Sequence, residues 1–581
     1  MKKPAGAARV THAEPSFAQE RLWFIEQLRP STGMSNVPLT IRVQEPLTAA
    51  DVRHALELVV ARHESLRTRF ISVGGAPVQE IRAETLFSVD VVDLRDEPQD
   101  VDHRRTEEAL RQLAAAPIAL DRSPLFRVQM ILGRDGGTVI QLVMHHIITD
   151  GWSLGVLQRD LSAAINGTFE DLPPLAFQYR EVASRQRAEL AAGEYDADLR
   201  YWGEALKDRQ MLALPLLGGE PRTTAVHGAR EVLTLDDALS ARVWESATRR
   251  RLTPNMLMLA AYNVVLFRHT GEDSAVLSIG TPTAGLWASG DEQLIGFFVN
   301  TLPVTTRLSR DMPVSEFLTR VRTSVLGALS HQRVPFERIV ELVQPERRLE
   351  HSPLYQTIFV YQNAPSSAAP FGGRRIETLD VHNGASPGGL TMSVSERDGR
   401  LSCRLEYNSE QMAADTARRL LRRYRTVLET MVDDGHDDEY TIGSIPLLDE
   451  AELGEMTAIG ARAAYDGPPT EDLFSAFLEV VRRRPDAVAI TAQDGDLTYA
   501  ELASQADDLA ELLIQRGVGP GDWVAVRLNR STFLPVTLLA VLRAGAGYVP
   551  LPPALPVARI KFMLSDCAPT ALWQGPPSTV R

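Results

Sequence analysis

Two adjacent histidines, an aspartate four residues on and a glycine after it form the stretch of this chain whose spacing points most directly to chemistry. They are His145, His146, Asp150 and Gly151, in MHHIITDGWS. In a chain of this composition HHxxxDG arises by chance with odds on the order of one in a thousand. An imidazole can take, hold or steer a proton near neutral pH. Neighbouring side chains on a strand point to opposite faces, so the pair is not a side-by-side chelate for one metal. Instead, one histidine can face a cleft while the other packs and hydrogen-bonds behind it; the plainer alternative is two structural histidines at a strand end. Asp150 can brace the loop by pairing with an arginine or with backbone N–H groups. A helix beginning just beyond it would offer free N–H groups to an oxyanion.

The elements around the motif are readable. TVIQLVM (138–144) is nearly all apolar, which predicts a buried, central strand running straight into His145 and His146. FRVQMIL (126–132) is its hairpin partner across Arg134-Asp135-Gly136-Gly137. After Asp150-Gly151-Trp152, Leu154, Leu157, Leu161 and Ala164 fall at helical spacing, and Gly167 stops the helix. VPLTIRV (37–43) reads as another strand. It precedes a helix capped by Thr48, with Asp51 three residues on and Val52, Ala55, Leu56, Val59 and Val60 on one face.

A second αβ region, roughly 180–445, has the helical stretches DALSARVWESATRRR and TPNMLMLAAYNVVLFRHT. It ends in strand-rich segments, LYQTIFVYQN and LTMSVSERDGRLSCRLEYN. From about 469 the rhythm becomes βαβαβ: DAVAI, YAELASQADDLAELLIQRG, WVAVRL, TFLPVTLLAVLRAG and YVPL, with parallel-sheet character.

Composition narrows the class. The chain has 581 residues, net charge −14, 44% apolar residues and two cysteines, Cys403 and Cys567. That length implies two to four structural units. The acidic balance does not invite nucleic acid or anionic membrane, and no apolar run is long enough to span a bilayer. The start is basic but lacks the apolar stretch of a secretory signal. Two distant thiols make no disulfide framework and fit a reducing cytoplasm.

Several further segments carry a family resemblance. SFAQERLWFIEQL (16–28), RHESLRTRF (62–70), MHHIITDGWS, IGFFVNTL (295–302), HQRVPFERIV (331–340) and HSPLYQ (351–356) occur in that order. With them, residues 14–445 resemble condensation domains of nonribosomal peptide synthetases, in detail those accepting an upstream residue of L configuration. Residues 469–581 resemble the beginning of an adenylation domain, through LTYAEL (497–502) and LRAGAGYVPL (542–551).

The resemblance implies an α/β fold of two lobes, each like chloramphenicol acetyltransferase, set in a V-shaped pseudo-dimer. The lobes would span 14–180 and 181–445, followed by a linker (446–468) and a partial βαβ adenylation subdomain (469–581). It implies amide-bond formation between units carried on donor and acceptor carrier domains, whose 4'-phosphopantetheine arms enter a tunnel at His146. No cofactor or metal would be bound by the chain itself, which would be monomeric. His146, His145, Asp150 and Gly151 form the expected catalytic set; Trp152, Ser153, Asn300 and Arg67 are expected along the tunnel. Trp23 and Arg21 are expected to pack the first lobe, Arg62 to brace the loop or lie in solvent, His331 and Gln332 to be structural, and His12, His54 and His63 to be surface or capping residues. The family's phosphate loop, ribose-binding acid and catalytic lysine would lie beyond Arg581, so no adenylation is expected from 469–581.

Two departures stand out. Val182 and Arg185 occupy positions where the fourth family motif has aromatics. Leu286, after Gly285, replaces an arginine that pairs with the motif aspartate. Asp150 is therefore expected to be held by backbone N–H groups of its own turn or by an arginine from elsewhere. Alternatives are a degenerate domain that gates or recruits carriers and a stand-alone acyltransferase of the same fold. An epimerisation domain fits poorly with the VNTL and HQ-VPFE segments and the adenylation-like segment, and a heterocyclisation domain poorly with a histidine pair.

Overall fold

The helix Ala49–Arg62 shows how local chemistry sets the elements. Thr48 accepts the Asp51 N–H and Asp51 accepts the Thr48 N–H in return, satisfying two of the donors that a helix start leaves open. Its buried residues are Val52, Ala55, Leu56, Val59 and Val60, the stripe expected from the sequence. The computed structural model describes residues 10–30, 32–209, 227–344, 352–362, 371, 373–386, 389–433, 440–462 and 472–575. His351 of HSPLYQ and the expected linker boundary near 468 lie outside them.

The first lobe is built on a five-stranded sheet in the order Ile376–Leu379, Asn36–Val43, Thr138–His145, Phe126–Leu132, Val89–Asp93. Thr138–His145 is the central strand and is buried at every position, as its apolar run requires. Antiparallel pairing sets Asn36 opposite His145 and Phe126 opposite Met144. The helices Ala49–Arg62, Gln99–Ala115 and Gly151–Ile165 accompany this sheet.

The second lobe has a six-stranded sheet, ordered Asn300–Ser309, Ser274–Thr283, Thr357–Gln362, Leu390–Arg397, Arg400–Asn408, Gly228–Thr234. Helix Pro254–Thr270 is buried at every residue from Met256 to Phe267, as a helix apolar all round must be. One strand crosses between the lobes. Ile376–Leu379 lies in sequence between two strands of the second sheet yet pairs with Asn36–Val43 of the first. A single cut at residue 180 therefore does not separate the two sheets.

Residues up to Glu455 form one compact unit and those from Met456 another. The second unit has a parallel three-stranded sheet, Gly547–Pro550, Trp523–Val526, Ala571–Trp573. With it come the helices Tyr499–Gln515 and Phe533–Arg543 and a hairpin from Val488 to Thr498. Among the described residues no helix is long and apolar enough to cross a membrane, and no group of three or more His, Cys, Asp or Glu side chains is arranged to hold a metal ion.

Candidate active site

The buried strand ends at His145, and the chain then makes one short turn, His146–Ile148, before Asp150 caps the helix Gly151–Ile165. His145 is buried, 2% exposed; its Nδ1 accepts the Ile147 N–H at 3.1 Å, which leaves the ring proton on Nε2, 3.4 Å from Glu26 Oε1. His146 is only half-buried. Its Nδ1 lies 2.6 Å from Thr149 O; a carbonyl can only accept, so Nδ1 carries the proton and the Nε2 lone pair is left free. No hydrogen bond from the described residues reaches that Nε2. The ring leans on Phe297, with centroids 4.8 Å apart. Burial holds the imidazole below its ordinary pKa, against the opposing pull of Thr149 O and Asp150. His146 is therefore neutral at pH 7, with its basic nitrogen unengaged.

Asp150 is fully buried and is held by backbone N–H groups. Oδ1 accepts the Ser153 N–H at 2.9 Å, and Oδ2 accepts those of Phe298 at 2.8 Å and Val299 at 3.2 Å. Burial pushes this carboxyl up; the N–H groups of Ser153 and Phe298 oppose the rise. Leu286 instead packs with Tyr179, Val182, Leu294, Phe297 and Phe298. The two departures from the family pattern, Leu286 and Val182, thus share one apolar cluster, and the aspartate is satisfied without an arginine. The Leu154 N–H returns to Asp150 O. This leaves the Gly151 and Trp152 amides of the first turn without a hydrogen bond among the described residues. A side chain at Gly151 would meet nothing within 4 Å, so this end of the helix borders open space.

Residues 294–300 join the two lobes under the motif. Ser65 Oγ donates to Ile295 O at 2.7 Å, Ser153 Oγ to Gly296 O at 2.9 Å, and Tyr179 OH to Phe297 O at 2.5 Å. Two glycines let the chains approach this closely. A Cβ on Gly296 would lie 2.0 Å from the Tyr179 ring. Gly285 has φ +62° and a Cβ there would lie 1.9 Å from Phe298 O.

The expected tunnel residues are placed as follows. Trp152 Nε1 donates to Glu292 O at 3.1 Å. Ser153 is fully buried, its hydroxyl shared with Gly296. Asn300 donates to Gln332 O and Val334 O and accepts from the Phe336 N–H. The hydrogen bonds of Ser153 and Asn300 go to protein backbone, which gives both a positioning part. Arg67 stands apart, donating to Arg82 O with Glu64 alongside. Arg21 bridges the lobes, 3.1 Å from Glu337 and over the Phe336 ring, while Trp23 packs on the first core. His331 stacks on Tyr201.

Of the two alternatives for His63, surface or capping, the structure bears out the second: it caps the C-terminus of the helix Ala49–Arg62, its N–H donating to Val59 O. It is 1% exposed, not at the surface. Its Nε2 lies 2.8 Å from Asp160 Oδ2 and its Nδ1 accepts the Ile295 N–H at 3.4 Å. Arg62 and Arg159 also pair with Asp160, so Arg62 does not reach the motif loop. Burial holds His63 below its usual pKa despite Asp160. His12 and His54 are exposed. The anchoring amides of Phe298 and Val299 escaped the sequence reading, because a backbone N–H leaves no signature in residue type; IGFFVNTL marked their location without their function.

The central strand thus presents a histidine with a free Nε2 where the two α/β lobes meet. The chain belongs to the condensation-domain family: residues 10–454 match the Condensation domain family, and residues 477–578 match the AMP-binding enzyme family. It is 35% identical over 558 residues to a linear gramicidin synthase of Brevibacillus parabrevis, covering 95% of this chain and 7% of that protein. It is 34% identical to chondramide synthase of Chondromyces crocatus, covering 97% of this chain and 15% of that one. Phosphinothricin tripeptide synthetase of Streptomyces viridochromogenes is also 34% identical, with 96% of this chain and 51% of that protein covered. The chain thus spans between 7% and 51% of these relatives' lengths. Among solved structures, a four-domain nonribosomal peptide synthetase bound to AMP and glycine superposes with TM-score 0.75 at 24% identity, over 98% of this chain and 44% of that one. The X-domain from teicoplanin biosynthesis does so with TM-score 0.66 at 25% identity, over 77% and 100%.

Proposed function

We propose that this chain forms an amide bond between two carrier-bound units, the amine of the acceptor attacking the thioester of the donor. The observation that carries the reading is His146: neutral, fixed through Nδ1 to Thr149 O, with a free Nε2 and a ring only half-buried. An α-amino group has a pKa near 8, so roughly a tenth is neutral at pH 7. Nε2 accepts a hydrogen bond from that amine, directs its lone pair at the thioester carbon and takes a proton as the C–N bond forms. The unengaged amides of Gly151 and Trp152, at the positive end of the helix, are suited to the oxyanion of the tetrahedral intermediate. Collapse of that intermediate expels the donor thiolate. Alignment of two tethered reactants supplies much of the acceleration.

In this reading the substrates arrive on 4'-phosphopantetheine arms of donor and acceptor carrier domains, and no further cofactor is required. His145 and Asp150 shape the loop and do not transfer protons. Of the expected tunnel residues, Trp152, on the first turn beyond Asp150, is the one retained as a wall of the acyl path. The lobes are proposed to part near residue 180, apart from the strand Ile376–Leu379 on the first sheet, with a linker over 446–468 that contains the helix Glu450–Arg462. The protein is proposed to be monomeric and cytoplasmic, and a reducing cytoplasm agrees with two unpaired cysteines, Cys403 and Cys567. The degenerate-domain reading drew on Leu286 and on the weak fourth motif, and the backbone bonds to Asp150 remove the first of these. The test is intact-mass analysis of both loaded carriers after mixing with the full chain. A mass gain of the donor acyl group on the acceptor carrier, matched by its loss from the donor, supports the proposal. Binding of both carriers without transfer counts against it.

A further inference from the structure

We propose that Arg185 is a positioning residue for this site, acting through Asp291 and the 285–299 segment on the loop that presents His146; this rests on the condensation reading above. Arg185 lies on the helix Tyr179–Ala191. Its Nη2 is 2.7 Å from Asp291 Oδ1 and 2.9 Å from Oδ2, and its guanidinium lies over the Phe177 ring at 5.5 Å. Asp291 is fully buried. Its Oδ2 also accepts the N–H groups of Trp287 at 3.0 Å and Ala288 at 2.8 Å. One carboxylate therefore gathers a turn of backbone and a cation from another element.

That turn is continuous with the residues that hold the catalytic loop. On one side Gly285 presses against Phe298 O, so closely that no Cβ fits between them. On the other, Glu292 O accepts from Trp152 Nε1 and Gln293 Oε1 from Arg159 Nη1, both on the helix that Asp150 caps. Phe298 and Val299 then deliver their N–H groups to Asp150. Arg185 is thus linked to Asp150 through one buried carboxylate and one stretch of backbone. The Leu286 side chain has no donor for either carboxylate, and Arg185 supplies the cation that fastens the segment. An unpaired buried carboxylate is far costlier than a paired one or a neutral replacement. Removing Arg185 alone should therefore displace the turn, whereas neutralising Asp291 at the same time should relax it back.

The test compares full-length wild type with Arg185→Met, Arg185→Lys, Asp291→Asn and the Arg185→Met/Asp291→Asn pair. Condensation of loaded carriers gives kcat and KM. Hydrogen–deuterium exchange of the peptide spanning 294–300 reports the Phe298 and Val299 amides. Arg185→Met should lower kcat about tenfold to a hundredfold, the range expected of small misplacements. KM for both carriers should stay within about twofold, the mark of an interaction felt in the transition state. Exchange in 294–300 should accelerate while the strand Thr138–His145 stays protected. The double variant and Arg185→Lys should both recover part of the loss. Wild-type kcat and exchange in Arg185→Met would overturn the proposal. So would exchange raised equally across the unit with no recovery in the double variant, which is plain destabilisation. The exchange measurement needs no turnover: an inactive wild type would sink the condensation reading, and exchange would still decide whether Arg185 holds the segment.

Discussion

At the residue scale the site depends on a difference between two adjacent histidines. His145 is enclosed and its Nδ1 is used by the Ile147 N–H; His146 has a free Nε2. His146→Ala should therefore leave a folded protein whose condensation rate falls by about 10²-fold or more, about what proton transfer or its hydrogen bond contributes. Wild-type rates in that variant would remove the assignment. Because burial holds His146 below its usual pKa, its neutral form persists below pH 6.5 or so. Asp150 is fully buried and bound by three N–H groups, which makes it a scaffold for the loop. Asp150→Asn keeps a carbonyl oxygen for Ser153 or Phe298 and should retain part of the activity. Asp150→Ala should lose activity and roughly 1.5–3 kcal/mol of stability together, the usual cost of deleting a buried, charged hydrogen-bonding group. An Asp150→Ala protein that melts like wild type yet is dead would place the aspartate in the chemistry instead.

At the element scale the decisive piece is the 285–300 segment, which has little regular structure but ties strand, helix and loop of both lobes. Gly285 occupies the left-handed region with Phe298 O where a Cβ would stand. Gly285→Ala must push that carbonyl and the Phe298 N–H away from Asp150. The expected outcome is a loss of about 1–3 kcal/mol, as for other overpacked sites, with a fall in condensation. A denaturant melt together with a carrier assay measures both, and unchanged values in the two would show that the contact is unimportant. Asn300 works in the same direction, its amide gripping the 332–336 turn.

At the scale of the whole molecule, acid should loosen the fold. His63 and His146 are both held below their usual pKa by burial. The unfolded chain takes up their protons first, so their contribution is intact above about pH 6.5 and is lost as the pH falls below it. Asp150, pushed up by burial, binds its proton more readily when folded and offsets part of this at lower pH. The melting temperature should decline between about pH 7.5 and 5.5; a level curve would mean that neither histidine is held below its usual pKa in the fold. A separate expectation concerns residues 469–581. The Gly545 and Gly547 region is a helix end followed by a strand, not a phosphate cradle, so this chain should show no ATP-dependent pyrophosphate exchange. Exchange above background would contradict that.

The sequence by itself determined the local elements and the chemical motif. An unbroken apolar run specified the buried strand, a Thr48–Asp51 pair specified a helix start, and HHxxxDG marked the loop proposed for acyl transfer. These depend on residues close together in the chain, where periodicity and capping act. Tertiary structure decided which histidine is free, because that depends on Thr149 O and Ile147 N–H closing a specific turn. It decided that Asp150 is held by amides 148 and 149 residues away and needs no arginine at 286. It buried the capping residue His63 in a pair with Asp160, and it laid the strand Ile376–Leu379 across onto the first sheet. The first is a local turn and the others are long-range contacts, but all are made through backbone groups or buried polar side chains. Every residue but proline carries the same N–H and C=O, so residue type alone does not announce such partners.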